Sequence, residues 1–108
     1  MKLERYKPAI CADGFTVSIQ AHDGAYCSPS NDFGPYSAVE VGYPNQTDPL
    51  LLPYAEDPSR PTDTVYGYVP STVVLEVFES HGGWVGGEIP PMELTSDDDQ
   101  YNGGEYEE

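Results

Sequence analysis

The chain predicts a small α+β domain, a mostly antiparallel β-sheet with one short helix packed on it, followed by an acidic, disordered C-terminal tail. Three observations carry that expectation. Apolar runs at period two, Phe15–Ala21, Tyr36–Tyr43 and Thr64–Val69, recur between Gly, Pro and Asp-Gly turn signals, the pattern of short pleated strands. Past Pro70 the period changes: Val74, Val77, Phe78 and His81 fall at helical spacing. From Glu93 to Glu108 there are seven acids, no base and almost no aliphatics, a composition too poor in apolar area to offset the entropy of folding. At 108 residues there is room for one domain, taken as residues 1–92, with 93–108 as the tail.

Residues 1–9 form a short basic lead, and regular structure is expected to begin near Ile10 and Cys11, before a turn at Asp13-Gly14. The run from Phe15 to Ala21 sets Phe15, Val17, Ile19 and Ala21 on one side and Thr16, Ser18 and Gln20 on the other, a half-buried strand. Asp23-Gly24 favours positive φ and predicts a tight hairpin into Ala25–Cys27. Ser28–Pro35 is a loop of turn formers. Tyr36–Tyr43 reads as a strand with Val39 and Val41 inward and Glu40 on the opposite face, closed by Pro44.

Pro44, Pro49, Pro53, Pro58 and Pro61 make 45–62 a long connection with little room for ladder hydrogen bonds, apart from a short edge strand at Leu50–Leu52. Thr64, Tyr66 and Tyr68 then alternate with Val65, Gly67 and Val69. Ser71 stands where a helix cap accepts orphan amides, and Gly82-Gly83 where a left-handed stop is needed. Thr72–Phe78 also alternates, so periodicity alone leaves a strand as the rival; the end signals favour the helix. Trp84-Val85 and Glu88-Ile89 flank Gly86-Gly87 as a further hairpin or an irregular strand with a tight Gly turn, and Pro90-Pro91 ends the domain.

The net charge is -15, and from Pro8 to Glu108 there are 18 acidic residues against Arg60 alone. Val, Ile, Leu and Phe total 21 residues, which with that charge warns of disorder, but nine Tyr and one Trp supply buried area with few rotatable bonds. Such a surface repels nucleic acid and anionic lipid and attracts basic protein surfaces. Met1–Ile10 has charge without an apolar core to follow, and no later run is long enough to span a bilayer. A soluble intracellular protein is expected, with Cys11 and Cys27 as free thiols and Asn45-Gln46-Thr47 without meaning as a sequon.

Read in order, Ala12-Asp13-Gly14-Phe15, Val17–Ala21, Glu40-Val41-Gly42-Tyr43-Pro44, Tyr66–Pro70 and His81-Gly82-Gly83 resemble small accessory proteins of bacteriophages, over roughly Ile10–Ile89. The group carries no assigned reaction and no functional residues to transfer. The resemblance implies a setting, the bacterial host cytoplasm during infection, where small acidic phage proteins block nucleic-acid-handling or defence proteins.

Chemistry-bearing groups are sparse. His22 with Cys27 and His81 with Cys11 are the pairs available for a nucleophilic cysteine, but no third orienting residue or oxyanion loop accompanies them. Cys11, His22 and Cys27 match no paired zinc spacing. Asp98, Gln100, Asn102 and Gly103 imitate the start of a calcium loop, with Gln in an acid's place and the chain ending before the bidentate Glu. No Gly-rich phosphate loop exists, since the Gly pairs follow the helix and lack the Lys. His81 is expected to cap helix carbonyls or pack beside Trp84, where a cation suits the helix dipole. No metal, cofactor or catalytic residue is assigned.

What remains is the charge. B-form DNA carries one negative charge per roughly 1.7 Å of axis, so a rigid body with carboxylates at similar spacing can occupy a DNA-binding groove. The candidate partner-binding residues are Asp57 and Asp63 on the loop, Glu76 and Glu79 on the helix, and Asp97, Asp98 and Asp99 in the tail. Solvation alone explains such acids almost as well. The expected function is a non-enzymatic inhibitor that occupies a basic, nucleic-acid-binding surface of a host or defence protein. The alternative is a structural or assembly protein of a phage particle that self-associates through Tyr-rich sheet edges as a homo-oligomer. If the tail is separate from the fold, removing Glu93–Glu108 leaves a cooperative thermal transition in place, as circular dichroism would record.

Overall fold

The structure, a computed structural model, describes residues 6–93; the tail, with Asp97, Asp98 and Asp99, lies outside the described residues. Five strands, β1 (Ala9–Cys11), β2 (Thr16–Gln20), β3 (Ala38–Gly42), β4 (Val65–Pro70) and β5 (Trp84–Gly86), form one antiparallel sheet, and helix α1 (Ser71–Ser80) joins β4 to β5. The spatial order is β4-β3-β2-β1-β5. This is the α+β architecture expected from the sequence.

One face of the sheet is the core. Ala9 stands opposite Val17, Ile19 opposite Val41 and Val39 opposite Val69, so the period-two set of each strand arrives on the same side. Val74, Val77 and Phe78 of α1 close over them, all buried, each contributing about 1.5–3 kcal/mol by burial. Tyr36 and Tyr66 supply the bulk that the scarce aliphatics do not. Both are fully buried, and their hydroxyls donate to the Asn31 and Pro61 carbonyls, so neither polar tip is stranded.

The helix begins and ends with different chemistry. Ser71 is not the cap: Pro70 precedes the first helical residue, and the Ser71 hydroxyl donates to the Tyr36 carbonyl at 2.7 Å, fastening the helix start to the chain before β3. The far end is a Schellman stop, with Gly83 N–H donating to Phe78 O at 2.8 Å and Gly82 N–H to Glu79 O at 3.2 Å. Both glycines are left-handed, φ 88° and 101°. The strand reading of Thr72–Phe78 is thereby overturned.

The expected alternation of β4 is broken by a bulge. Tyr66 and Val69 are both fully buried although three residues apart, while Tyr68 points out. A regular strand cannot do this; the register shifts against β3, and Tyr68 takes the left-handed φ of 53°. The half-buried reading of β2 also falls short. Ser18 and Gln20 are buried too, and Tyr6 lies against Gln20, whose Nε2 donates to the Tyr6 carbonyl at 2.7 Å and whose Oε1 accepts from Tyr6 N–H. Glu40, on the face opposite Val39 and Val41 as expected, is likewise buried, and accepts from the Tyr26 N–H at 3.0 Å.

Three connections differ from expectation. Asp23-Gly24 makes a turn, closed by Ala25 N–H to His22 O, but no hairpin, since β2 pairs with β3 instead. Leu50–Leu52 is not a strand: Asp48 turns the chain, and a 3-10 helix follows at Leu52–Tyr54. Trp84–Gly86 adds to the edge of β1 with a left-handed Gly87 behind it, the irregular strand of the two options. Packing runs beyond Pro90-Pro91, because Tyr36 N–H donates to Pro91 O and Glu93 N–H to Tyr36 O.

Gly87 is where the fold most needs a bare backbone, since a Cβ there would run into the Pro8 carbonyl at φ 76°. Gly87→Ala is expected to destabilise by about 3 kcal/mol or more, left-handed strain of about 1–3 kcal/mol adding to a backbone collision. Gly83→Ala, with φ 101° but open space around it, should cost only the strain. Denaturant melts of the two variants would show the difference.

Candidate functional site

The strand order and the path of α1 bring several loops to one end of the sheet. The β1–β2 turn, the chain leaving β3 and the loop entering β4 share that end because their strands are antiparallel neighbours. The helix starts at the opposite end, beside Ser37, and its C-terminus returns to the β1–β2 turn, where Asp13 N–H donates to His81 O and Ala12 N–H to Gly83 O.

At this junction His81 Nδ1 lies 2.7 Å from Asp13 Oδ2, and Nε2 lies 2.7 Å from Asp48 Oδ2. Its ring stacks on Phe15 with centroids 4.0 Å apart and planes 5° from parallel. Each carboxylate is aimed by the local chain: Asp13 Oδ1 accepts from Phe15 N–H and Asp48 Oδ1 from Leu50 N–H, both Asx turns that leave Oδ2 for the imidazole. Asp48 is 3% exposed and His81 12%. His81 thus neither caps helix carbonyls with its ring nor packs beside Trp84.

Burial pulls the His81 pKa down, but hydrogen bonds and charge from Asp13 and Asp48 outweigh it and set the net direction above the ordinary imidazole value. The hydrogen bond from His81, aided by Phe15 N–H, holds the Asp13 carboxyl below the usual range. With both nitrogens taken by aspartates, the ring is not offered to Cys11. That thiol is pushed up by burial and then by Asp13, away from the reactive thiolate. Cys27 donates to the His22 and Pro29 carbonyls, and the His22 ring accepts from Gly24 N–H. Neither cysteine–histidine pair is assembled.

The acidic candidates divide. Asp57 and Asp63 flank one loop: Asp57 accepts from the Ser59 hydroxyl at 2.6 Å, a bond that chiefly lowers its pKa, and Asp63 is ion-paired with Arg60. Glu76 and Glu79 are exposed one turn apart on α1. No hydrogen bond or ion pair links the loop pair to the helix pair. Glu56, Asp57, Asp63 and Glu79 nevertheless share the end of the sheet that holds Asp13 and Asp48, and the negative end of the helix dipole points there. Among the described residues, Arg60 and His81 are the basic side chains at that end. Glu76 stands one turn back along the helix.

Fold and site together define a small α+β domain with an aspartate–histidine–aspartate clasp at the end of the sheet that also carries Glu56, Asp57, Asp63 and Glu79, while Asp23, Asp32, Glu88 and Glu93 lie towards the other end. No family model matches the chain, and neither a curated protein nor a solved structure matches it significantly. Among the described residues no helix is long and apolar enough to cross a membrane, and no cluster of His, Cys, Asp or Glu is arranged to hold a metal ion.

The clasp makes stability pH-dependent with two signs. His81, raised in the folded state, contributes fully below the ordinary imidazole value near 6.5, and that contribution is lost as pH rises through its folded pKa. Asp13, lowered, contributes above the ordinary carboxylate value near 3.8 and loses its contribution as pH falls through its folded pKa. Stability should peak between those ordinary values. His81→Gln should abolish the decline on the alkaline side and cost about 3 kcal/mol at the peak, because buried Asp48 loses its charged partner. Thermal melts across pH on both proteins read this directly.

Proposed function

We propose that the protein is a non-enzymatic inhibitor whose acidic pole occupies a basic, nucleic-acid-binding surface of a bacterial host or defence protein, in the manner of a DNA mimic. The observation that supports this reading most is the gathering of Glu56, Asp57, Asp63 and Glu79 at the end of the sheet where α1 points its negative terminus. The clasp gives that pole a rigid base, because it ties the helix end to the first turn and to the long connection. Rigid charge is what a groove built for phosphates selects, since each salt link it replaces releases a counterion without ordering the ligand. The setting comes from the resemblance to small phage proteins.

The structural alternative rests, from the sequence, on Tyr66, Tyr68 and Trp84; Tyr66 is buried in the core, whereas Tyr68 and Trp84 are exposed, as are Tyr26 and Tyr43. That alternative has less room at the sheet edge than the sequence suggests, because the start of β4 is already paired on its outer side: Ala55 bridges Tyr66 and Glu56 N–H donates to Val65 O.

Captured host proteins should be displaced by duplex DNA, and their affinity should fall at least about tenfold between ~50 and ~300 mM salt. Binding indifferent to salt, or left untouched by DNA, would remove the reading. Neutralising Asp57, Asp63, Glu76 and Glu79 to Asn or Gln should weaken capture by about tenfold or more and flatten the salt slope. Neutralising Asp23 and Asp32, in the loop at the opposite end of the sheet, should change neither. A separate variant with Asp97, Asp98 and Asp99 neutralised reports the share carried by the tail.

A further inference from the structure

Between α1 and the chain that follows β5 lies a cleft of about 270 Å³ whose walls are Leu75, Phe78, Trp84, Ile89 and Met92, with Glu79 at its lip. It exists because two segments diverge. The helix turns its core stripe, Val74, Val77 and Phe78, onto the sheet. The chain after Gly87 runs back alongside the helix to reach Tyr36, where Met92 pairs in parallel. Leu75, Ile89 and Met92 are left half-buried and Trp84 is 44% exposed. The cleft falls just short of the roughly 300–1,000 Å³ that holds a drug-sized ligand, and its lining offers almost no hydrogen-bond partner. Its dimensions suit apolar side chains.

The surroundings select what brings those side chains. From Pro61 to Glu108 there is no Lys or Arg. Glu79 is on the lip, Glu76 continues it outward along the helix, and Glu88 and Glu93 bracket the wall that carries Ile89 and Met92. A second copy would bring the same carboxylates against these, and the chain's own tail is equally acidic, so like charge disfavours both as occupants. We propose that the cleft anchors an amphipathic basic segment of a partner protein, its Leu or Phe side chains entering between Trp84 and Met92 while flanking Lys or Arg side chains meet Glu79, Glu76, Glu88 and Glu93. This rests on the reading of the acidic pole as a protein-binding surface and adds to it a buried apolar anchor, the kind of contact that concentrates binding energy within a polar rim.

Trp84 is the one tryptophan of the chain and lines the cleft, so its emission reports occupancy. The full chain is titrated with a short helix-forming Leu/Lys peptide and with a control in which every Leu is Ser and every Lys is kept. The Leu/Lys peptide is expected to shift Trp84 emission to the blue and to bind at least about tenfold more tightly at ~150 mM salt, where screening has weakened pure charge contacts. Met92→Gln should bring it down to the control's affinity without altering the control's own binding. Leu75→Gln serves the same purpose if circular dichroism shows Met92→Gln unfolded. Equal affinity of the two peptides with no emission change would overturn the cleft and leave the acidic-pole reading standing. Failure of both peptides to bind at ~50 mM salt, where charge attraction is strongest, would overturn both readings. Concentration-dependent sedimentation of the free chain with burial of Trp84 would make a second copy the occupant and overturn the proposal.

Discussion

The C-terminus of α1 carries partial negative charge and faces two aspartates, an arrangement that repels unless a cation stands between. His81 stands there, its pKa held above the ordinary imidazole value by hydrogen bonds and charge from the two aspartates, which favours the cationic form. It joins segments 68 and 33 residues away in sequence, through Asp13 and Asp48, and the flat stack on Phe15 fixes the ring so that both nitrogens point at carboxylates. Remove it and the helix end, the first turn and the long connection each keep a charge or a dipole aimed at the others. The Schellman stop has a second purpose in this setting, because Gly82 and Gly83 turn the chain sharply enough to leave His81 at the helix mouth and still deliver Trp84 to β5.

The same economy governs the core. A chain with so few aliphatics encloses its interior by placing tyrosines where leucines would ordinarily stand and giving each hydroxyl a carbonyl. Tyr36 is the fuller case: its ring is buried, its hydroxyl reaches Asn31, and its backbone carbonyl accepts from both Ser71 and Glu93. The entry to α1, the approach to β3 and the end of the described chain all meet on one residue. Burying Glu40 and Gln20 on the second face extends the economy to polar groups, each held by neighbouring backbone.

Local signals were legible in the sequence, and long-range ones were not. The period-two runs around Val17, Val41 and Tyr66 identified strands correctly, and the helical spacing of Val74, Val77 and Phe78 with Gly82-Gly83 behind it identified α1, because those patterns reflect short-range geometry. The bulge at Tyr68 escaped because Gly67-Tyr68 leaves the alternation intact on paper; only the register against β3 exposes it. Asp13-Gly14 reads as a turn and is one, and Asp48-Pro49 opens a turn inside the proline-rich connection. Nothing in either dipeptide says that its spare carboxylate oxygen closes on a histidine far along the chain. The acidic candidates Asp57, Asp63, Glu76 and Glu79 could be named from composition, whereas the arrival of Glu79 at the end of the sheet that holds Asp57 and Asp63, with Glu76 one turn behind, depends on how the helix crosses the sheet.

The covered flank of β4 has a consequence for assembly. With Ala55 and Glu56 already seated against the start of that strand, the main open edge of the sheet among the described residues is the three-residue β5. Two molecules meeting there would use up the margin of both, and a third would find nowhere to add. Growth along the hydrogen-bonding direction through that edge would therefore stop at a pair.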